Sequence, residues 1–354
     1  MARCIIKTVL LLLLFNGTVA IAQNNFVSNY NQGVNYYEKQ DFNNAIMSFS
    51  KALKYRSEAQ NEYKIANALK ERALCRMYLG NFSDALNDID EALKMKPEYT
   101  DLYYIRSLIL LRSKKYDDVI VWANKGLELK PENEELRLNR MEANFGKKKY
   151  EEVHKDADTV LNLNPKCLPA MRIKSDAFQF QKKYDEAITL LTKIIELYPQ
   201  NFASFYNRGI ALAHLKKFDE ALADMNRAMS IDTAEMFIGY NNIAFFIKFE
   251  EKDYKGAIEY FDKAIALNPK FSYAYNNRGY AKLQLNDISG ARQDIKKSLA
   301  LDPSNSFAYK TMAQLLLAEN KKKQACDQLQ KANELGYTEE YDEEVNDLLK
   351  ANCQ

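Results

Sequence analysis

FASFYNRGIALAHLKKFDEALADMNRAMSIDT, residues 202–233, carries two apolar stripes at helical spacing. Phe205, Gly209 and Leu212 lie three and four residues apart, and so do Phe218, Leu222, Met225 and Met229 beyond Lys216 and Lys217. Each half therefore reads as an amphipathic helix, and the pair as a helical hairpin. Variants of the stretch recur along the chain. Pro97, Pro131, Pro165 and Pro199 are 34 residues apart, and Pro269 and Pro303 resume that step after a gap of 70. Small residues recur at Gly33, Ala73, Ser107, Ser175, Gly209, Gly279 and Ala313, and again at Ala45, Ala85, Ala187, Ala221, Ala257, Ala291 and Ala325, where helices must approach closely. Aromatic residues from Phe42 to Tyr254 follow the turns and fill the gaps between hairpins.

This period and its columns resemble the tetratricopeptide repeat (TPR) family. The resemblance implies an all-α fold, a right-handed superhelical solenoid of about nine hairpins with a C-terminal capping helix. It divides the chain into residues 1–22, a signal peptide, 23–337, the array, and 338–354, the capping helix and tail. In such arrays the first helix of each hairpin lines a concave face that holds a peptide or a partner's helix. By register this face holds Asn31, Asn139, Asn207, Asn242, Asn276 and Asn277, with Tyr206 and Tyr280 beside them. An asparagine amide can donate to and accept from a peptide backbone, although bonds to neighbouring helices are the competing use. The family's Lys, Asn, Asn, Lys, Arg clamp for a terminal carboxylate is not reproduced.

The start of the chain reads as an export signal: Arg3 and Lys7 precede the apolar run Val9 to Phe15, and Ala20-Ile21-Ala22 has the form of a signal-peptidase site. The product is then periplasmic or secreted, with an uncleaved anchor as the alternative, and no other segment could cross a membrane. Removing Arg3 and Lys7 leaves 48 basic and 48 acidic side chains, a balance that argues against a nucleic-acid partner.

Arg72 and Asp88, Arg140 and Asp156, Arg208 and Asp224, and Arg278 and Asp294 are each 16 residues apart on opposite helices of one hairpin, and read as structural ion pairs. Arg106 lacks the aspartate and faces Trp122 instead. Lysines crowd the turns at Lys114, Lys147 to Lys149, Lys182, Lys216 and Lys321 to Lys323. They read as a solvated edge or, alternatively, as a strip for an anionic polysaccharide or glycolipid.

His154 and His214 are the only histidines, and neither has metal-ligand or catalytic spacing. No enzyme activity, cofactor or metal is expected. The reading is a non-enzymatic interaction scaffold of the cell envelope or extracellular space whose partner is another protein or peptide. A regulatory subunit of a separate enzyme is the remaining alternative.

Two irregularities interrupt the period. Six extra residues fall around Arg56 to Tyr63, and two are expected near Asp232 to Gly239. At the far end Gly336 stops the last repeat, Thr338 caps a final helix with Glu339 and Glu340 in its first turn, and Tyr341, Val345, Leu348 and Leu349 form its apolar stripe. Cys326 and Cys353 approach the same end of this hairpin, where oxidation could join them. An ideal hairpin leaves Cys353 about 6 Å too far along, at 1.5 Å per helical residue, so bridged and free forms both stand open.

Overall fold

A computed structural model describes residues 25–56, 59, 61–337 and 343–353. The expected signal peptide, the cap residue Thr338, and Glu339, Glu340 and Tyr341 lie outside the described residues. The described chain is helical, with no β-strand among the described residues.

Two compact units divide between Ala177 and Phe178. The first contains α1 (residues 25–38), α2 (Phe42–Lys54), α3 (Glu62–Tyr78), α4 (Phe82–Met95), α5 (Thr100–Arg112), α6 (Tyr116–Leu129), α7 (Glu134–Gly146), α8 (Tyr150–Leu163) and most of α9 (Leu168–Phe180). The second contains the end of α9, then α10 (Tyr184–Leu197), α11 (Phe202–His214), α12 (Phe218–Ile231) and α13 (Met236–Ile243), which runs on as a π-helical turn (Ala244–Lys248). It continues through α14 (Tyr254–Leu267), α15 (Ser272–Gln284), α16 (Ile288–Leu301), α17 (Ser306–Ala318), α18 (Lys322–Glu334) and α19 (Glu344–Asn352). In each unit a first helix packs on its own second helix, and that second helix packs on the next hairpin.

The hairpin quoted at the outset shows how local chemistry sets this pattern. Asn201 accepts a bond from the Ser204 N–H at 2.9 Å and caps α11. Lys216 then takes a left-handed conformation (φ 60°). Its N–H donates to the Ala213 carbonyl at 2.9 Å, and the Lys217 N–H donates to the Leu212 carbonyl at 3.0 Å. This pair of bonds is the Schellman stop, which satisfies the carbonyls at a helix end. The stop recurs at Lys114, Lys148, Lys182, Lys252, Asn286 and Asn320, so a lysine holds the left-handed position in the turns at Lys114, Lys147 to Lys149, Lys182 and Lys216, and Asn320 holds it before Lys321 to Lys323. Across α11 and α12 a Cβ on Gly209 would stand 2.9 Å from Met225 Cγ and 3.1 Å from the Ala221 carbonyl oxygen, so the close approach requires glycine.

Four guanidinium–carboxylate forks clasp the hairpins. Arg72, Arg140, Arg208 and Arg278 each donate through Nε and Nη2 to the two oxygens of Asp88, Asp156, Asp224 and Asp294, at 2.5–3.0 Å. The aspartates are buried. The third guanidinium nitrogen reaches back to the preceding second helix: Arg72 to Ser50 at 3.0 Å, Arg208 to Thr192 at 2.9 Å, Arg278 to Asp262 at 2.5 Å, and Arg140 to Asn124. Each arginine thus ties three helices together. Arg106 stacks 4.0 Å over Trp122 and pairs with Asp90 behind it.

The irregularities resolve differently. Four of the six extra residues near Arg56 lengthen α3, which has 17 residues where α5 and α7 have 13, whereas its neighbour α2 keeps 13. The two extra residues expected near Asp232 to Gly239 fall instead after the π-helical turn: α13 and that turn together span 13 residues, as α11 does, but five residues separate Lys248 from Tyr254 where three separate His214 from Phe218. The link from Ile231 to Met236 keeps the length of its counterpart from Leu197 to Phe202. In the π-helical turn the Phe249 N–H donates to the Ala244 carbonyl at 3.1 Å. Rotation there buries Ala244 completely and leaves Phe245, which column counting puts at a packing position, 41% exposed.

At the end of the second unit, α19 packs on α18. Val345 is fully buried against Leu329 and Ala332, with Leu348 and Leu349 beside it. A disulfide joins Cys326 on α18 to Cys353 just past α19. Cys75 and Cys167 are buried thiols, and burial pushes the first up to about 12 and the second up to about 11.

Candidate functional site

The first helices of the second unit line a groove of about 980 Å³. Rings dominate it. Phe180 ends α9, His214 ends α11, Phe245, Phe246 and Phe249 come from the π-helical turn and its cap, and Tyr280 comes from α15. His214 stacks on Tyr184 at 4.6 Å and meets Phe246 edge-on at 5.5 Å, while Phe249 lies 5.4 Å from Tyr280. Burial lowers the His214 pKa and raises that of Tyr280. Phe249 lies four residues after Phe245 and three after Phe246, a helical spacing that keeps the three phenylalanines on one face.

A chain of amides runs inward from Asn276 and Asn277, which line the groove. Asn276 donates to Asn277 Oδ1 at 3.1 Å, Asn277 to Asn241 Oδ1 at 3.1 Å, Asn241 to Asn242 Oδ1 at 2.9 Å, and Asn242 to Tyr206 Oη. These bonds join α15, α13 and α11. Burial pushes the Tyr206 phenol up to about 12. Asn276 and Asn277 thus each give one N–H within this chain, and Asn242 gives one to Tyr206. Asn276 Oδ1, at the head of the chain, is buried and receives no bond.

The groove ends in a charged clasp. Lys310 Nζ donates to Glu344 Oε2 at 2.7 Å and to Tyr337 Oη at 3.0 Å, and Gln314 donates to Glu344 Oε1 at 3.1 Å. Burial alone would depress the lysine, but Glu344 and Tyr337 outweigh it and hold the ammonium above its usual pKa.

The remaining candidates lie elsewhere. Asn139 is buried in the first unit and donates inward to Ser107 Oγ at 2.8 Å. Asn31 is exposed on α1, and Asn207 is half-buried on α11. The first unit has its own groove of about 690 Å³, lined by charges, where Arg172 donates to Asp176 at 3.3 Å and to Glu142 at 3.5 Å. Among the described residues no group of three His, Cys, Asp or Glu side chains is placed to hold a metal, and no helix is long and apolar enough to cross a membrane.

Sequence reasoning missed Phe249, Asn241, Lys310 and Glu344. Lys310 had a signal, because it lies 34 residues after Asn276 in the same column. Glu344 had none, since it lies beyond the repeats.

Family models for the tetratricopeptide repeat match residues 27–58, 70–134, 174–234, 239–271 and 260–293, together more than half of the chain. The chain belongs to the tetratricopeptide repeat family. It is similar to tetratricopeptide repeat protein 4 of Homo sapiens, 29% identical over 93 residues, which are 26% of this chain and 24% of that protein. The Bos taurus protein is 28% identical over the same length and the same shares. The chain thus spans about a quarter of the length of the curated relatives it matches. Among solved structures, a tetratricopeptide repeat protein from Parabacteroides merdae aligns with TM-score 0.53 and 17% identity, covering 82% of this chain and 100% of that one. A chain of the APC/C hetero-tetramer Cut9–Hcn1 aligns with TM-score 0.52 and 16% identity, covering 92% of this chain and 76% of that one. These likenesses show the fold, an all-α tetratricopeptide solenoid. The repeats indicate a protein–protein interaction scaffold. Such proteins usually bind other proteins or peptides, and the fold is typically non-enzymatic.

Proposed function

We propose that the protein is an exported, non-enzymatic scaffold that holds a segment of another protein in the groove of its second unit. The observation that carries this reading is the exposure of large apolar rings in a recess: Phe180 is 67% exposed and Phe245 41%. Apolar side chains left open in a concave site are the usual mark of a partner surface. Export is supported by the apolar run after Arg3 and Lys7 and by the Cys326–Cys353 disulfide, since such bonds persist in oxidising compartments. The balanced charge of residues 23–354 favours a protein partner over nucleic acid. The array occupies residues 23–337 in this reading, with 338–354 as its cap.

The test is affinity purification from the native cells with the wild-type chain, Phe245→Glu, and a triple Lys147→Gln, Lys148→Gln, Lys149→Gln variant. Loss of the same partner with Phe245→Glu and its retention with the lysine variant is the expected result. The reverse pattern would transfer the function to the lysine edge.

A further inference from the structure

Among the described residues every arginine but one has a hydrogen-bond partner. Arg227 donates to the Ser230 hydroxyl, and the others donate to a carboxylate. The exception is Arg112, the last residue of α5, which is exposed and lines the groove of the first unit. A guanidinium carries five N–H donors in a planar fork that fits a carboxylate. The fold uses none of those at Arg112. Lys114, two residues further on, lines the same groove, is exposed, and has no side-chain partner among the described residues.

The other charges of the groove answer one another. Glu142 on α7 and Asp176 on α9 line it too, and Arg172 on α9 donates to both, at 3.5 and 3.3 Å. The groove is therefore polarised, with two unpaired cations at its α5 side and one cation shared between two carboxylates at its α7 and α9 side. Leu108, Leu111, Tyr116 and Phe145 supply apolar walls. A cation in such a cleft is screened less than one on an open surface, and arginine is the cation most enriched among residues that dominate protein interfaces.

We propose that the groove of the first unit is a second docking site, for a polypeptide segment that brings an aspartate or glutamate side chain to the Arg112 guanidinium, with Lys114 beside it. The groove spans the first helices α5, α7 and α9, so its occupant is a length of chain that meets Arg112 with a side chain. The site is independent of the ring-lined groove of the second unit and reads charge where that one reads apolar bulk.

The experiment selects a random twelve-residue peptide library, joined to its carrier through the C-terminus, on the folded full chain, and keeps the peptides that the Phe245→Glu variant also binds. These are synthesised as C-terminal amides, so that only side chains supply carboxylates, and their affinity is measured by fluorescence anisotropy. An aspartate or glutamate at one fixed position is expected, and its exchange for asparagine or glutamine should weaken binding about tenfold or more. Arg112→Gln should erase that difference, and Arg112→Lys should restore only part of it, since an ammonium lacks the fork. Neither variant removes a hydrogen bond of the fold. Rising salt should weaken the acidic peptides more than their amide counterparts. Peptides with no acidic position, or acidic peptides that bind Arg112→Gln as well as the wild-type chain, would overturn the site. Acidic peptides lost with Lys148→Gln but kept by Arg112→Gln would overturn it by moving the contact to the lysine edge. A selection that yields no peptide retained by Phe245→Glu would overturn it as well, and would leave the second-unit groove to its own test.

Discussion

Lys310 and Glu344 meet 2.7 Å apart, one on the last repeat's first helix and the other in the first turn of the capping helix. The lysine side chain is largely buried, so Glu344→Gln would remove its counter-charge and leave the ammonium with only neutral acceptors. We expect that substitution to cost about 2 kcal/mol and to lower hydrogen-exchange protection in α19 before α17. Unchanged protection in α19 would show that the clasp does not hold the cap. Because the lysine pKa is raised in the folded state, the contribution is fully present below the ordinary lysine value of about 10.4 and is lost as pH rises through the folded value.

His214 behaves in the opposite sense. Burial between Tyr184 and Phe246 lowers its pKa, with Glu250 working against the shift and Lys182 with it. The unfolded chain therefore takes up a proton more readily, so the stabilising effect is present above about pH 6.5 and declines as pH falls through the folded value. His214→Phe preserves the stacking and should flatten the stability profile of the second unit between about pH 7 and 5. An unaltered slope in thermal melts would place the acid sensitivity elsewhere.

Removing either member of the Arg208–Asp224 fork strands a partner at a mostly buried site. Arg208→Ala and Asp224→Ala should each cost about 2–3 kcal/mol, and the double variant should cost less than their sum by about 1 kcal/mol or more. Additive losses in urea unfolding would mean that the two residues act independently.

Lys216 occupies a backbone region that favours glycine. Lys216→Gly should raise stability by about 0.5–1 kcal/mol, since relief of the side-chain clash exceeds the added chain entropy. Gly336 holds the same kind of position (φ 81°), and Gly336→Ala should lower stability by a similar amount. Midpoints of urea unfolding that move the other way would contradict the assignment of strain to these turns.

The Cys326–Cys353 bridge closes a separation of 27 residues, worth about 3 kcal/mol in the loop-closure account. Cys353→Ser should therefore make α19 the first site cut by a protease while α11 and α12 persist. In the unreduced wild-type chain, a thiol reagent should find neither Cys75 nor Cys167 until denaturant is added, because both are buried. Rapid labelling of Cys326 under native conditions would contradict the bridge.

The hairpins were legible because the chain repeats its own columns, so Gly209 and Ala221 could be compared with Gly279 and Ala291. The place of the two extra residues was not, because residues added after α13 and residues added in the link before it leave the same register on either side. The backward partners of the arginines were hidden for another reason. Ser50, Asn124, Thr192 and Asp262 share only an oxygen that can accept a bond, and a column of such mixed side chains gives no pattern to the eye. The Lys310–Glu344 clasp escaped because one of its members lies outside the repeats.

The two-residue surplus in the hairpin of α13 and α14 has an evolutionary meaning. In a periodic array the register decides which residues are interior and which are displayed, so a short insertion can act as a switch between those fates. Here two residues are added within the hairpin of α13 and α14, where Phe245 lines the recess, while the hairpins on either side keep their spacing. The face that such a protein displays can be changed by altering the count of residues within one hairpin, with no repeat gained or lost.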